Sequence, residues 1–120
     1  MTPVYLHDWS APSWGSDVGL PAMQRDFAIS DARLDGVEVL LAAYSYADYE
    51  GQAYVLFRKE GQLFEVHGGH CSCYGLEGQW DPQAVTKNDL LLHLNAERVP
   101  YEYHWVADEL RAVLKRVRKG

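Results

Sequence analysis

The stretch VEVLLAAYSYADYEGQAYVLFRKEGQLFEVH, residues 37–67, decides the fold. It holds three β-rich segments, VEVLLAAYSY (37–46), QAYVLFRK (52–59) and QLFEVH (62–67), separated by ADYEG and EG. Glu60-Gly61 is a short hairpin signal, and Gly51 closes the preceding loop. In the second segment Ala53, Val55 and Phe57 alternate with Tyr54, Leu56 and Arg58. Its centre is apolar on both faces, so both sides are expected to be partly covered. The three segments read as an antiparallel meander.

Working outward, VADELRAVLKRVRK (106–119) carries the strongest helical pattern of the chain. Val106, Leu110, Val113, Leu114 and Val117 recur at the spacing of one buried face. Asp108 and Glu109 stand at its start and the bases at its end, which suits the helix dipole. Upstream, Thr86 and Asp89 form a capping arrangement ahead of the apolar stripe Leu90, Leu91 and Leu94. On the N-terminal side, Pro21, Met23, Phe27 and the stop signal Gly36 predict a helix over 21–34. Residues 1–20 show no sustained period and read as an irregular arm whose Trp9 and Trp14 pack on the domain or on a partner. The expected architecture is a single α+β domain over 1–120. It has an antiparallel meander of three to four strands, with helices packed on one face, the C-terminal amphipathic helix among them.

Composition narrows the function. The chain has 120 residues, 48% hydrophobic and 23% charged, as a folded domain does. No apolar run approaches the roughly 20 residues that span a bilayer, so no membrane association is expected. The first residues lack the basic start and apolar core of a secretory signal, which makes the cytoplasm the expected location. Both cysteines are then expected to be reduced. Net charge is −6, yet five of the 11 basic residues lie in the last ten positions. The first 110 residues therefore carry six bases against 17 acids, and such a surface repels nucleic-acid phosphates. A protein partner with a basic face would suit it. The two tryptophans of the arm and the long amphipathic helix also leave room for a homodimer.

The next stretch, EVHGGHCSCYGLEGQW (65–80), gathers His67, His70, Cys71 and Cys73. A structural zinc site wants four ligands in spaced pairs, and Cys71-x-Cys73 has no second cysteine pair to meet it. Zinc on His70, Cys71 and Cys73 would need His67, or His93 or His104 brought in by the fold. A thiol catalyst is the second reading, with Cys71, Cys73 and His70 as candidates. In an extended segment, however, both cysteines point to one side and His70 to the other. A strained Cys-x-Cys disulfide acting as a switch is the third. The fourth is structural: Gly68 and Gly69 turn the chain off the third strand, and the thiols pack inward. No cofactor is required by the last reading.

Aromatics interleaved with acids occur at YSYADYEG and at YEYHW (101–105). Tyr and Trp dominate protein-binding hot spots. Trp9, Trp14, Tyr46, Asp48, Tyr49 and Glu50 are accordingly the candidate partner-binding residues. Asp48, Glu50 and Glu65 could also supply paired carboxylates, although their spacing is unspecific.

The run YSYADYEGQAYVLFRKEGQLFEVHGGHCSCYGLEGQWDP resembles a type of small uncharacterised protein of bacteriophages and prophages. There a Tyr-x-Asp-Tyr-x-Gly motif precedes two strands and a His-Cys-Ser-Cys-Tyr-Gly-Leu-Glu-x-Gln-Trp segment. The resemblance covers about 40 central residues of the 120. His67 departs from it, standing where the pattern carries a small polar residue. The resemblance implies a phage-borne accessory protein acting in the bacterial cytoplasm, and brings no established chemistry with it. The expected function is non-enzymatic: binding and modulating a host protein complex, such as an antiviral defence machine of the CRISPR or restriction type. The alternative is a small metal- or thiol-dependent enzyme using Cys71, Cys73 and His70.

Overall fold

The computed structural model describes residues 2–10, 18–47, 50–70 and 75–117, with Tyr46, Ala47, Glu50 and His70 described by their backbone. Its centre is the expected meander: β2 (Glu38–Ala47), β3 (Glu50–Lys59) and β4 (Gln62–His70). Glu60 and Gly61 both take positive φ, 53° and 78°, which makes the two-residue turn between the paired Lys59 and Gln62. Among the described residues the sheet has five strands, one more than the upper expectation. β1 (Val4–His7) runs parallel to β2, and β5 (Gln83–Val85) runs antiparallel to β4, so the order follows the chain from β1 to β5.

The N-terminal arm is therefore not irregular throughout. Val4 pairs with Leu41 and His7 with Tyr44. A parallel neighbour requires a long crossover, which the segment between β1 and β2 supplies. That segment contains α1 (Gly19–Phe27) and a 3-10 turn, Asp31–Leu34. The helix expected over 21–34 is thus split. Ala28 adopts a left-handed conformation (φ 56°) and ends α1. The Gln24 side chain then bonds the Ile29 carbonyl and Asp31 Oδ1, stabilising the turn that follows.

Helices lie on both faces, correcting the one-face expectation. Ala22, Met23 and Phe27 of α1 bury with Trp9, Val39, Ala42, Tyr44, Ala53, Val55, Phe57, Val66, Leu76 and Trp80. The opposite face carries α2 (Lys87–Leu94), α3 (Tyr101–His104) and α4 (Ala107–Arg116). Leu90, Leu94, Tyr103, Val106, Leu110, Val113, Leu114 and Val117 pack there on Leu40, Leu41, Ala43, Tyr54, Leu56 and Leu63. All five residues of the C-terminal stripe are buried, as their spacing predicts. A bulge at Leu40 explains why Leu40 and Leu41 serve the same face. Val39 pairs with Phe57 and Leu41 with Leu56, so two residues of β2 oppose one of β3 and the alternation resets.

The capping box at Thr86 is present: Thr86 Oγ1 accepts from the Asp89 amide at 3.1 Å, and Asp89 accepts from the Thr86 amide at 3.4 Å. Two cations tie helix ends together. Arg111 donates to the Leu94 carbonyl (2.7 Å) and Lys87 to the Val117 carbonyl (2.6 Å), satisfying acceptors that helices leave unbonded. No helix among the described residues is long and apolar enough to cross a membrane.

Candidate functional site

Two features of the sheet bear on function, a buried polar cluster and one sheet end. The cluster grows from the pleat of β4. Leu63, Glu65 and His67 share one face because side chains alternate along a strand, and Leu63 commits that face to the core under α2–α4. Glu65 is consequently 6% exposed, the one buried charged residue among those described. Burial alone would push its carboxyl pKa up. Hydrogen bonds from His67, Tyr103 and Tyr54 outweigh that and hold it below the ordinary value.

The bonds are specific. Tyr54 donates to Glu65 Oε2 at 3.0 Å, and Tyr103 of α3 donates to Oε1 at 2.7 Å. His67 Nε2 lies 3.1 Å from the same Oε1. Burial and the neighbouring Glu65 carboxylate raise both tyrosine pKa values, so each hydroxyl keeps its proton and acts as a donor. Aromatic contacts close the cluster. The Tyr103 ring stacks on His93 at 5.2 Å and meets His67 edge-on at 5.4 Å, while Tyr54 contacts His67 at 5.1 Å. The Nε2 of His67 faces Glu65, which fixes the orientation of the imidazole ring. The side chain is 35% exposed, so solvent reaches it. Chemically this is an imidazole oriented by a buried carboxylate. Among the described residues no three His, Cys, Asp or Glu side chains converge as metal ligands.

The second feature is the sheet end where β2 and β3 meet and β4 runs out. Tyr46 pairs with Gly51 and Gly51 with His70, so these three stand abreast in adjacent strands. β4 extends past the expected glycine exit: Gly68 pairs with Ala53 and Gly69 with Gln52. Gly68 is closely packed: a Cβ there would come 2.9 Å from Leu76 Cδ2, so the Leu76 side chain would have to shift. Gln79 secures the return of the chain. Its amide accepts from the Gly69 N–H and donates to the Gly69 and Gly75 carbonyls, each at 2.7 Å. The side chain thus acts as a one-residue strand beside β4. Gln79→Ala removes all three bonds and is expected to cost about 1–3 kcal/mol. Hydrogen exchange at the Gly69 amide checks it, and unchanged protection there would refute this role.

The candidate residues are distributed accordingly. Cys71 and Cys73 lie outside the described residues, as do Trp14, Asp48 and Tyr49. His70 ends β4, and Tyr46 and Glu50 flank the β2–β3 connection by their backbone. Trp9 takes the first of its two expected destinations, the domain itself. It is 1% exposed, with Nε1 donating to Asp26 Oδ2 at 2.8 Å, so its indole is buried in the domain. His67 faces Glu65 in mid-strand and not across a glycine turn. His93 reaches the same cluster through Tyr103. The Glu65–His67–Tyr54 group was foreshadowed by the two-residue spacing of Glu65 and His67 on a face shared with Leu63. Tyr103, 38 residues further on, has no local signal. Comparison with known proteins returns no match, whether to a family model, a curated protein or a solved structure.

Proposed function

We propose that this chain is a phage- or prophage-encoded accessory protein that works by binding, without chemistry of its own. It modulates a host protein complex, with a bacterial antiviral defence assembly as the target class. The supporting observation is the register of Tyr46, Gly51 and His70. It brings the two parts of the sequence resemblance, Tyr-x-Asp-Tyr-x-Gly and the segment opening at His70, to one end of one sheet. Motifs separated along the chain thereby start from adjacent strands. The acids and tyrosines at 46–50 suit a basic protein face, and tyrosine contributes large contact area for little entropy.

A pull-down from bacterial lysate tests this reading. The tagged chain is expected to retain a stoichiometric protein partner. The combined Tyr46→Ala, Tyr49→Ala variant is expected to lose it by at least roughly 30-fold, the scale of one hot-spot residue. The variant's melting temperature reports whether it remains folded. Failure to retain any stoichiometric partner would overturn the proposal.

The sequence supports a second reading, because His70 directly precedes the cysteine segment. In that reading Cys71, Cys73 and His70 serve a small metal- or thiol-dependent enzyme. Native mass spectrometry with and without chelator reads any bound zinc. If Cys71→Ser with Cys73→Ser leaves the protein's effect on phage infection intact, the enzyme reading fails and the binding reading stands.

A further inference from the structure

On the α1 side of the sheet, away from Glu65 and from the sheet end, a groove of about 340 Å³ opens beside the 3-10 turn. Its floor is a run of stacked rings. Phe57 lies face to face with Phe64 (centroids 5.3 Å, 19° between planes) and with Trp80 (5.6 Å, 11°). Val37 adds apolar wall, and Arg33 and Lys59 stand at the rim. Arg33 is held in place by donating from Nη2 to the Trp80 carbonyl at 2.9 Å. The Lys59 stem lies over Gly36, where an added Cβ would meet its Cε at 3.5 Å. Neither cation pairs with a carboxylate among the described residues, and no acid lines the groove. On a chain of net charge −6, these two cations over an aromatic floor stand without an ion-pair partner among the described residues.

We infer that this groove binds a small planar aromatic carboxylate. The ring of the ligand lies in the groove against Phe64, Val37 and the small exposed parts of Phe57 and Trp80, and its carboxylate lies between Arg33 and Lys59. The volume falls in the range of small-molecule sites, which combine an apolar lining with a few placed polar groups. A guanidinium held by its own hydrogen bond still offers other N–H donors in a fixed fork. A cationic ligand of the same shape would meet two like charges.

The full chain, labelled with 15N, is titrated with 2-naphthoate and, separately, with 2-naphthylmethylammonium. Naphthoate is expected to give saturable shifts at the amides of residues 32–37, 57–64 and 80. The ammonium is expected to bind at least about tenfold more weakly, and Lys59→Gln to weaken naphthoate about tenfold, as loss of one charge-assisted contact implies. Lys59→Gln touches no described hydrogen bond, so its spectrum reports a folded protein. Arg33→Lys keeps the charge and loses the fork, and is expected to weaken naphthoate as well. Equal affinity for the two probes, naphthoate shifts scattered over other surfaces, no saturation in the low-millimolar range, or wild-type affinity in Lys59→Gln would each overturn the assignment.

Discussion

Glu65→Ala is expected to destabilise the fold by about 3–5 kcal/mol, a large share of the 5–15 kcal/mol that holds a typical domain together. The substitution removes the acceptor of two tyrosine hydroxyls, from Tyr54 and Tyr103. Both side chains are buried, so neither hydroxyl gains water in exchange. Each stranded donor costs about 1–3 kcal/mol, and the methyl group of alanine leaves unfilled space as well. Tyr54→Phe alone is expected to cost less, because Glu65 keeps Tyr103 and His67 as donors. Urea unfolding of the two single variants and the double variant gives the coupling, expected near 1–3 kcal/mol. A loss below about 1 kcal/mol for Glu65→Ala would show that the cluster is solvated in the folded protein. Acid titration provides an independent check. The folded-state pKa of Glu65 lies below its ordinary value of 4.5, so on acidification the unfolded chain takes the proton first. Its stabilising contribution is therefore present above that ordinary value and is lost as pH falls through the lowered folded one. The gap in stability between wild type and Glu65→Gln should be flat from neutral pH down to the carboxylate range and shrink below it.

How much of this was legible in the sequence differs by element, for physical reasons. The meander was readable because β-branched and aromatic residues cluster between turn signals, and Glu60-Gly61 supplies the positive φ pair that a two-residue turn demands. The C-terminal helix was readable because its stripe is wide and uninterrupted. β1 was not, since a four-residue parallel edge strand has no hairpin signal; its pairing depends on a crossover through α1. The glycine exit was misplaced because Gly68 and Gly69 suggest a turn. Here they serve close approach of Leu76 and pairing with the Gln79 amide, contacts made by residues several positions downstream. Half of the buried cluster was available locally. The spacing of Leu63, Glu65 and His67 places a carboxylate and an imidazole on a core-facing row. What that spacing lacks is Tyr103, which arrives from another element and turns a costly buried charge into a satisfied one.

Trp9→Ala is expected to cost about 3–5 kcal/mol, the range for deleting a large aromatic from a core. The indole is 1% exposed and contacts Phe27 at 5.9 Å and Tyr44 at 5.3 Å, so it links the crossover helix to β2. It also carries the Nε1 bond to Asp26, and the Trp9 carbonyl accepts from the Gly19 amide at 2.9 Å where α1 begins. Trp9→Phe keeps most of the packing but loses the side-chain bond, and is expected to cost only about 1–2 kcal/mol, by the net worth of one such bond plus a little lost area. The larger variant should also free β1. Among the described residues that strand has β2 as its one sheet neighbour, and the Asp8 amide bonds the Tyr44 carbonyl just beyond it. Exchange protection at the β1 amides should therefore fall further than protection in β3. With β1 released, the edge of β2 presents unpaired backbone groups over an apolar run, the condition for strand-to-strand association. Trp9→Ala is thus expected to self-associate with rising concentration in light scattering, while Trp9→Phe stays at the wild-type size. If Trp9→Ala instead leaves both stability and size unchanged, the N-terminal segment is an arm after all, and β1 contributes nothing to closing the sheet.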